Sequence, residues 1–293
     1  MPPFKKQHFL PSSYLKYFSD DQMNCGRKSC TWRFDGKEMR RVPVESQGFE
    51  NYFYSKEKAA ETERLFQPRE EIYCHFVDQI RLGKEPPRKS FGDFFLCMFD
   101  LHLRNAAHKN LTSGEGVSAY QARLTMFFSQ LLVGGDHADC TIPKVKDHIQ
   151  THWRMEIIPA PPEYQFLTSD HPSIFMTCTH AASKARNALQ MILLPVDPLH
   201  TAVAFDRRFI SLRNQVATPS DVQTLNVGQV QNCEKCVYSS DSIDDNDRQS
   251  LAWVFKTKKA SSCEVTDKGW KLTTAYLPPE NHFSFMQAKP LLF

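Results

Sequence analysis

At 293 residues, with 41% hydrophobic and 12% aromatic residues, the chain is long enough to bury a substantial core without metal or disulfide staples. Its 36 basic and 33 acidic residues are interspersed and leave a net charge of +3, which argues against disorder and against a strong general field for nucleic acid. Nine irregularly spaced cysteines, no opening signal-peptide pattern and no apolar run of membrane-span length lead us to expect reduced thiols, a cytoplasmic location and no membrane partner.

The chain opens on Lys6-Gln7-His8-Phe9-Leu10-Pro11, followed by Tyr14-Leu15 and Phe18. Next, Asp35-Gly36 stands between the β-prone runs 31–34 and 38–42, a strong hairpin signal. Residues 56–80 carry a helical pattern, with Pro68 expected to end or kink the helix. Residues 91–107 predict a buried helix with Ser90 as its cap, and 117–133 predict a second helix antiparallel to it.

After Gly134-Gly135 the pattern changes to a short helix at 144–153 and then to strands at 155–158, 164–168, 173–177, 190–194 and 201–205. Their short connections favour an antiparallel or mixed sheet over a doubly wound parallel one. Residues 221–237 predict a late helix capped by Thr218 or Ser220, and 256–293 are expected to wrap the surface or add an edge strand. The expected architecture is α+β, with a helical N-terminal half packed against the sheet of the C-terminal half. Residues 1–255 would form one domain (1–135 hairpin and helices, 136–255 sheet and late helix), and 256–293 a C-terminal extension.

Several polar residues stand where chemistry could occur. His8 sits in a compact motif and can exchange a proton near neutral pH; its structural alternative is a core histidine bonded to backbone. Glu63 and Glu70 are two turns apart on one helix face, suited to a divalent cation or a general base, or simply solvent-facing. Arg104 follows an apolar helix and could clamp phosphate, cap the helix or pair with a glutamate. Asp170, in the strand-ending run Thr168-Ser169-Asp170-His171-Pro172, could be a base or metal ligand, or the acceptor of an Asp turn.

Other patterns carry less. Cys233-x-x-Cys236 lacks a second pair at zinc-finger spacing and falls within the expected late helix. His148 and His152 at i and i+4, preceded by Asp136, His137, Asp139 and Cys140, lack the glutamate of the metalloprotease pattern. No P-loop, G-x-S-x-G elbow or dinucleotide fingerprint is present.

The order and spacing of Gln7 to Pro11 with Tyr14-Leu15 and Phe18, Glu63 to Glu70, Arg104, Phe166 to Pro172, Leu194-Pro195 with Pro198, and Leu225-Asn226 with Val237-Tyr238-Ser239 resemble the family called domain of unknown function 4238 over most of residues 5–240. Residue by residue, the resemblance maps the family's polar positions onto His8, Glu63, Glu70, Arg104, Asp170 and Asn226. The position after Asp170, often Asn in the family, is His171 here. The resemblance implies a bacterial protein, often encoded beside mobile or defence-type genes, and brings no established activity.

Two readings follow. In the first, a metal-dependent phosphodiester hydrolase, a nuclease of a defence or toxin type acting on nucleic acid or nucleotide, Glu63, Glu70 and Asp170 bind Mg²⁺ or Mn²⁺. His8, Arg104, Asp170 and Asn226 then form the catalytic set, with His8 handling a proton and Arg104 stabilising phosphate charge. In the second, a non-catalytic binding or sensing protein, the same residues form a buried structural network.

Overall fold

The computed structural model describes residues 6–23, 26, 28–54, 56–57, 59–104, 124, 142–177, 189–258, 262–266, 269–273 and 283–288. In chain order these contain β1 (Lys6–His8), α1 (Ser12–Leu15), β2 (Cys30–Phe34), β3 (Met39–Pro43), β4 (Phe49–Asn51), α2 (Ala59–Arg81), α3 (Phe91–Leu103), α4 (Ile142–His152) and β5 (Trp153–Pro159). There follow β6 (Thr168–Ser169), β7 (Ile174–Thr177), β8 (Leu189–Asp197), β9 (His200–Asp206), β10 (Ile210–Leu212), α5 (Pro219–Asn232), β11 (Val237–Ser239), α6 (Asp245–Thr257), β12 (Ser262–Thr266), β13 (Gly269–Thr273) and β14 (Met286–Ala288). The protein is α+β: α1 to α3 precede residue 104 and α4 to α6 follow residue 141, and two four-stranded sheets run in the orders β3-β2-β11-β6 and β5-β9-β8-β7. Among the described residues every strand pairing is antiparallel.

In the second sheet β8 and β9 are buried on both faces, so these strands read as near-continuous apolar runs. Alternate residues go to different cores. Ile192, Leu194, Ala202 and Ala204 pack with α1 to α4, whereas Met191, Leu193, Val203 and Phe205 pack with Leu225 of α5 and with Phe283 and Phe285. α3 is buried on nearly all sides, which its sequence Phe-Gly-Asp-Phe-Phe-Leu-Cys-Met-Phe-Asp-Leu-His-Leu demands. The β2–β3 hairpin turns at Gly36, where φ is +86° and a Cβ would stand 2.7 Å from Phe255 of α6. Glycine is required there on both counts.

Several expectations change. Pro68 neither ends α2 nor splits it: the helix runs from Ala59 to Arg81 with Pro68 exposed on its outer side, where displaced carbonyls can turn to water. Ser90 holds the N-cap position of α3 without a side-chain cap bond. The late helix stops at Asn232, five residues early, because 237–239 are claimed by β11 between β2 and β6; Thr218 caps it in a reciprocal box with Asp221. The expected strand at 164–168 shrinks to Thr168–Ser169. A helix that was not anticipated, α6, begins at the Asp244 N-cap. β14 pairs with β10 in a separate two-stranded sheet, and the expected helix at 117–133 lies outside the described residues apart from Leu124.

Candidate functional site

Sequence puts His8 on a short strand that must turn at once into α1. Pro11, extended at φ −61°, starts the helix, and the N–H groups of Phe9 and Leu10 both donate to the carbonyl of Gly48 (2.9 and 3.0 Å). The half-buried His8 ring meets the edge of Phe49, and its Nε2 lies 3.2 Å from Ser12 Oγ. Gln7, the neighbour of His8, is buried, and its amide oxygen accepts from the N–H of Tyr54.

Arg104 is the C-cap of α3, delivered by an interior helix into this corner, and is 3% exposed. Its three guanidinium nitrogens all donate to the chain: Nε to Tyr54 Oη (3.0 Å), Nη1 to Glu70 Oε1 (2.9 Å) and Nη2 to the carbonyl of His8 (2.7 Å). The guanidinium lies 4.0 Å from the Phe66 ring centroid. Glu70 completes the link, its other oxygen accepting from Ser13 Oγ at 2.7 Å.

Beside it stands a second ion pair, from the residue before Glu70 on α2 and the residue one turn before Arg104 on α3. Arg69 Nη1 donates to both carboxylate oxygens of Asp100 at 2.8 and 2.9 Å. Burial pushes the Asp100 carboxyl up to about 6, overcoming the opposing charges of Arg69 and Arg104. Ser13, Arg69, Glu70, Tyr73, Asp100 and Arg104 line a cavity of ≈ 20 Å³, room for about one water.

Asp170 and Asn226 belong to a different locus. Asp170 is buried, and its two oxygens accept the backbone N–H groups of Glu234 and Lys235 (2.8 and 2.7 Å), holding the turn between α5 and β11. Burial raises its pKa against the pull of those donors. Asn226 accepts from the N–H of Leu167 and donates to the carbonyl of Gln165. Gln229 and Asn232, three and six residues on, continue the clamp. Gln229 accepts from Ser169 Oγ and donates to the Pro172 carbonyl, while Asn232 donates to the carbonyls of His171 and Ser173.

His171 is wholly buried between Asn232 and His102, with Nδ1 3.2 Å from the Asn232 carbonyl and Nε2 3.0 Å from His102 Nδ1. Burial lowers its pKa to about 4. A consistent assignment places an N–H on each Nδ1: His171 donates to the Asn232 carbonyl, and the His102 Nδ1–H faces both His171 Nε2 and the Ser173 carbonyl, 3.1 Å away.

The two loci are linked through Tyr14. Thr168 Oγ1 stands 2.5 Å from Tyr14 Oη, which donates to the Pro195 carbonyl at 2.7 Å.

Thus His8, Glu70 and Arg104 come together, and Asp170 and Asn226 do not join them. Glu63 lies two turns before Glu70 on α2, half-buried. Ser12, Ser13, Tyr54, Arg69 and Asp100 were not anticipated. A detectable signal was the pair Asp100 and Arg104, i and i+4 on an otherwise apolar helix, where charges need partners. The spacing of Asn226, Gln229 and Asn232 was another. Among the described residues no group of three or more His, Cys, Asp or Glu could hold a metal ion, and no helix is long and apolar enough to cross a membrane. Cys233 is the C-cap of α5, so Cys233 and Cys236 stand past the helix rather than within it. The rings of His148 and His152 are 4.8 Å apart, while Asp136, His137, Asp139 and Cys140 fall outside the described residues.

A family model described as a protein of unknown function, DUF4238, matches residues 6–242. No curated protein and no solved structure matches the chain.

Proposed function

Since the chain belongs to the DUF4238 family of proteins of unknown function, which brings no activity with it, we propose from its own geometry a non-catalytic binding or sensing protein, its motif residues forming a structural polar network. The observation that carries this reading is the guanidinium of Arg104. The fork that would grip a phosphate is already engaged by Glu70, Tyr54 and the His8 carbonyl. Asp170 adds weight, because both carboxylate oxygens a metal would need accept backbone N–H groups instead. Such networks contribute specificity of packing, and removing one member leaves the others unsatisfied.

The test is thermal and chemical unfolding of the whole chain. Arg104→Leu leaves the Glu70 carboxylate without its partner in a site only 23% exposed and should cost about 3 kcal/mol. Mg²⁺, Mn²⁺ or EDTA should not move the wild-type melting temperature. A rise with metal that Glu70→Gln abolishes would overturn this reading.

A second reading, the metal-dependent phosphodiesterase, keeps one supporting observation: two carboxylates, Glu70 and Asp100, face the same small cavity with two arginines. Cleavage of DNA or RNA that is stopped by EDTA and by Glu70→Gln would establish it. Asp170→Asn would then act through folding alone.

A further inference from the structure

β5 closes one side of its sheet. Among the described residues it pairs with β9 only, from Trp153 opposite Asp206 to Pro159 opposite His200. The flanking bonds Ala160 N–H to Leu199 carbonyl and Arg207 N–H to His152 carbonyl set the phase of the ladder. Even-numbered residues of β5 bond to β9, and the N–H and C=O groups of Met155 and Ile157 point to the open side. Pro159 verifies the direction, since its carbonyl accepts the N–H of Ala217 across that edge at 3.1 Å. The edge therefore takes a backbone partner at one end and, among the described residues, offers an unfilled rung pattern along Met155 to Ile157.

A trough of ≈ 790 Å³ runs along this edge toward the loop carrying Lys84 and Arg88, and a second of ≈ 1190 Å³ opens beside the segment carrying Arg213. Arg154 and Arg207 line both. Among the described residues the two troughs together present five lysines and arginines, Lys84, Arg88, Arg154, Arg207 and Arg213, against two carboxylates, Glu85 and Glu156. Trp153, Met155 and Ile157 supply an apolar floor on the helical side.

We propose that this edge is a docking site for an extended acidic segment of a partner protein, added as a further strand beside β5. The peptide backbone distinguishes this occupant from a nucleic acid strand. Carbonyls two residues apart, roughly 6.8 Å along the strand, need N–H donors at that repeat, which a phosphodiester chain lacks. The basic lining selects acidic side chains and excludes basic ones. The inference does not depend on whether the Arg104 network is structural, because an enzyme could carry the same edge.

Fluorescence anisotropy on the full chain tests it with four probes. These are a labelled peptide of alternating Glu and Val, its Lys-for-Glu counterpart, the acidic peptide N-methylated at every amide so that neither edge can donate, and single-stranded oligo-dT. The acidic peptide should bind at least tenfold tighter than each of the other three. Ile157→Pro removes an outward N–H that β9 does not use and should weaken acidic-peptide binding about tenfold. The double variant Arg88→Glu/Arg154→Glu should do the same without touching the backbone. Equal binding of the N-methylated peptide, tighter binding of oligo-dT, or no binding of the acidic peptide would each overturn the proposal.

Discussion

Buried ionisable residues in this protein are governed by what each can bond to. Asp170 holds two backbone N–H groups and Asp100 meets one arginine nitrogen with both of its oxygens, while His171 stays neutral between a carbonyl and a second histidine. The folded pKa of His171, about 4, lies below its ordinary 6.5, so the unfolded chain takes up that proton first on acidification. The stability it contributes is complete above about pH 6.5 and is lost as pH falls towards 4. Asp100 runs oppositely, because its carboxyl near 6 lies above the ordinary 3.8: its contribution is present below about pH 4 and lost as pH rises through 6. The two windows overlap, so the His171 contribution is isolated by comparison with His171→Asn, whose amide retains hydrogen-bonding groups without titrating. Between pH 6.5 and 4 wild type should lose on the order of 2–3 kcal/mol relative to the variant, read from urea midpoints. An unchanged difference across that range would mean that His171 titrates normally in the folded protein. The sequence singled out His171 as a polar neighbour of Asp170, but its burial beside His102, 69 residues away, depends on how α3 meets the Thr-Ser-Asp-His-Pro turn.

At the scale of elements, α5 acts as a clamp. It contributes Leu225 to the core, while Asn226, Gln229 and Asn232 face the segment 165–173 and satisfy its backbone. Such a loop is costly to bury without partners, and three amides at a spacing of three residues supply them along one side of the helix. Asn226→Ala should cost about 1–2 kcal/mol, and Gln229→Ala, at a wholly buried site, about 2–3 kcal/mol. Far-UV circular dichroism should stay unchanged in both, with the losses appearing in denaturant midpoints. If Gln229→Ala were neutral, the clamp would carry no energy. The helix was legible from its cap candidates, Thr218 or Ser220, a local signal, of which the fold uses Thr218. Its end was not, because β-pairing of Val237–Ser239 overrides helical pattern in the same stretch.

Across the whole molecule, tyrosines join the helices to the sheet at a single irregularity. β8 shifts register between Pro195 and Asp197, and the two carbonyls exposed there accept from Tyr14 and Tyr73. Tyr14→Phe removes the shared hydroxyl, leaves Thr168 and the Pro195 carbonyl short of a partner, and should cost about 1–3 kcal/mol. Because the bond joins the two parts, tryptophan fluorescence and far-UV circular dichroism should shift together in one transition; separate transitions would show that the parts unfold independently. By itself the sequence determined the α+β class, the Asp-Gly hairpin, the interior character of α3 and the positions of β2, β3, β5, β7, β8 and β9, because periodicity, turn chemistry and apolar runs act over a few residues. Only the tertiary structure decided which polar residues share a site. Arg104 reaches Glu70 across 34 positions and Tyr14 reaches Thr168 across 154, and such partners are chosen by how packed elements meet, which local pattern does not encode.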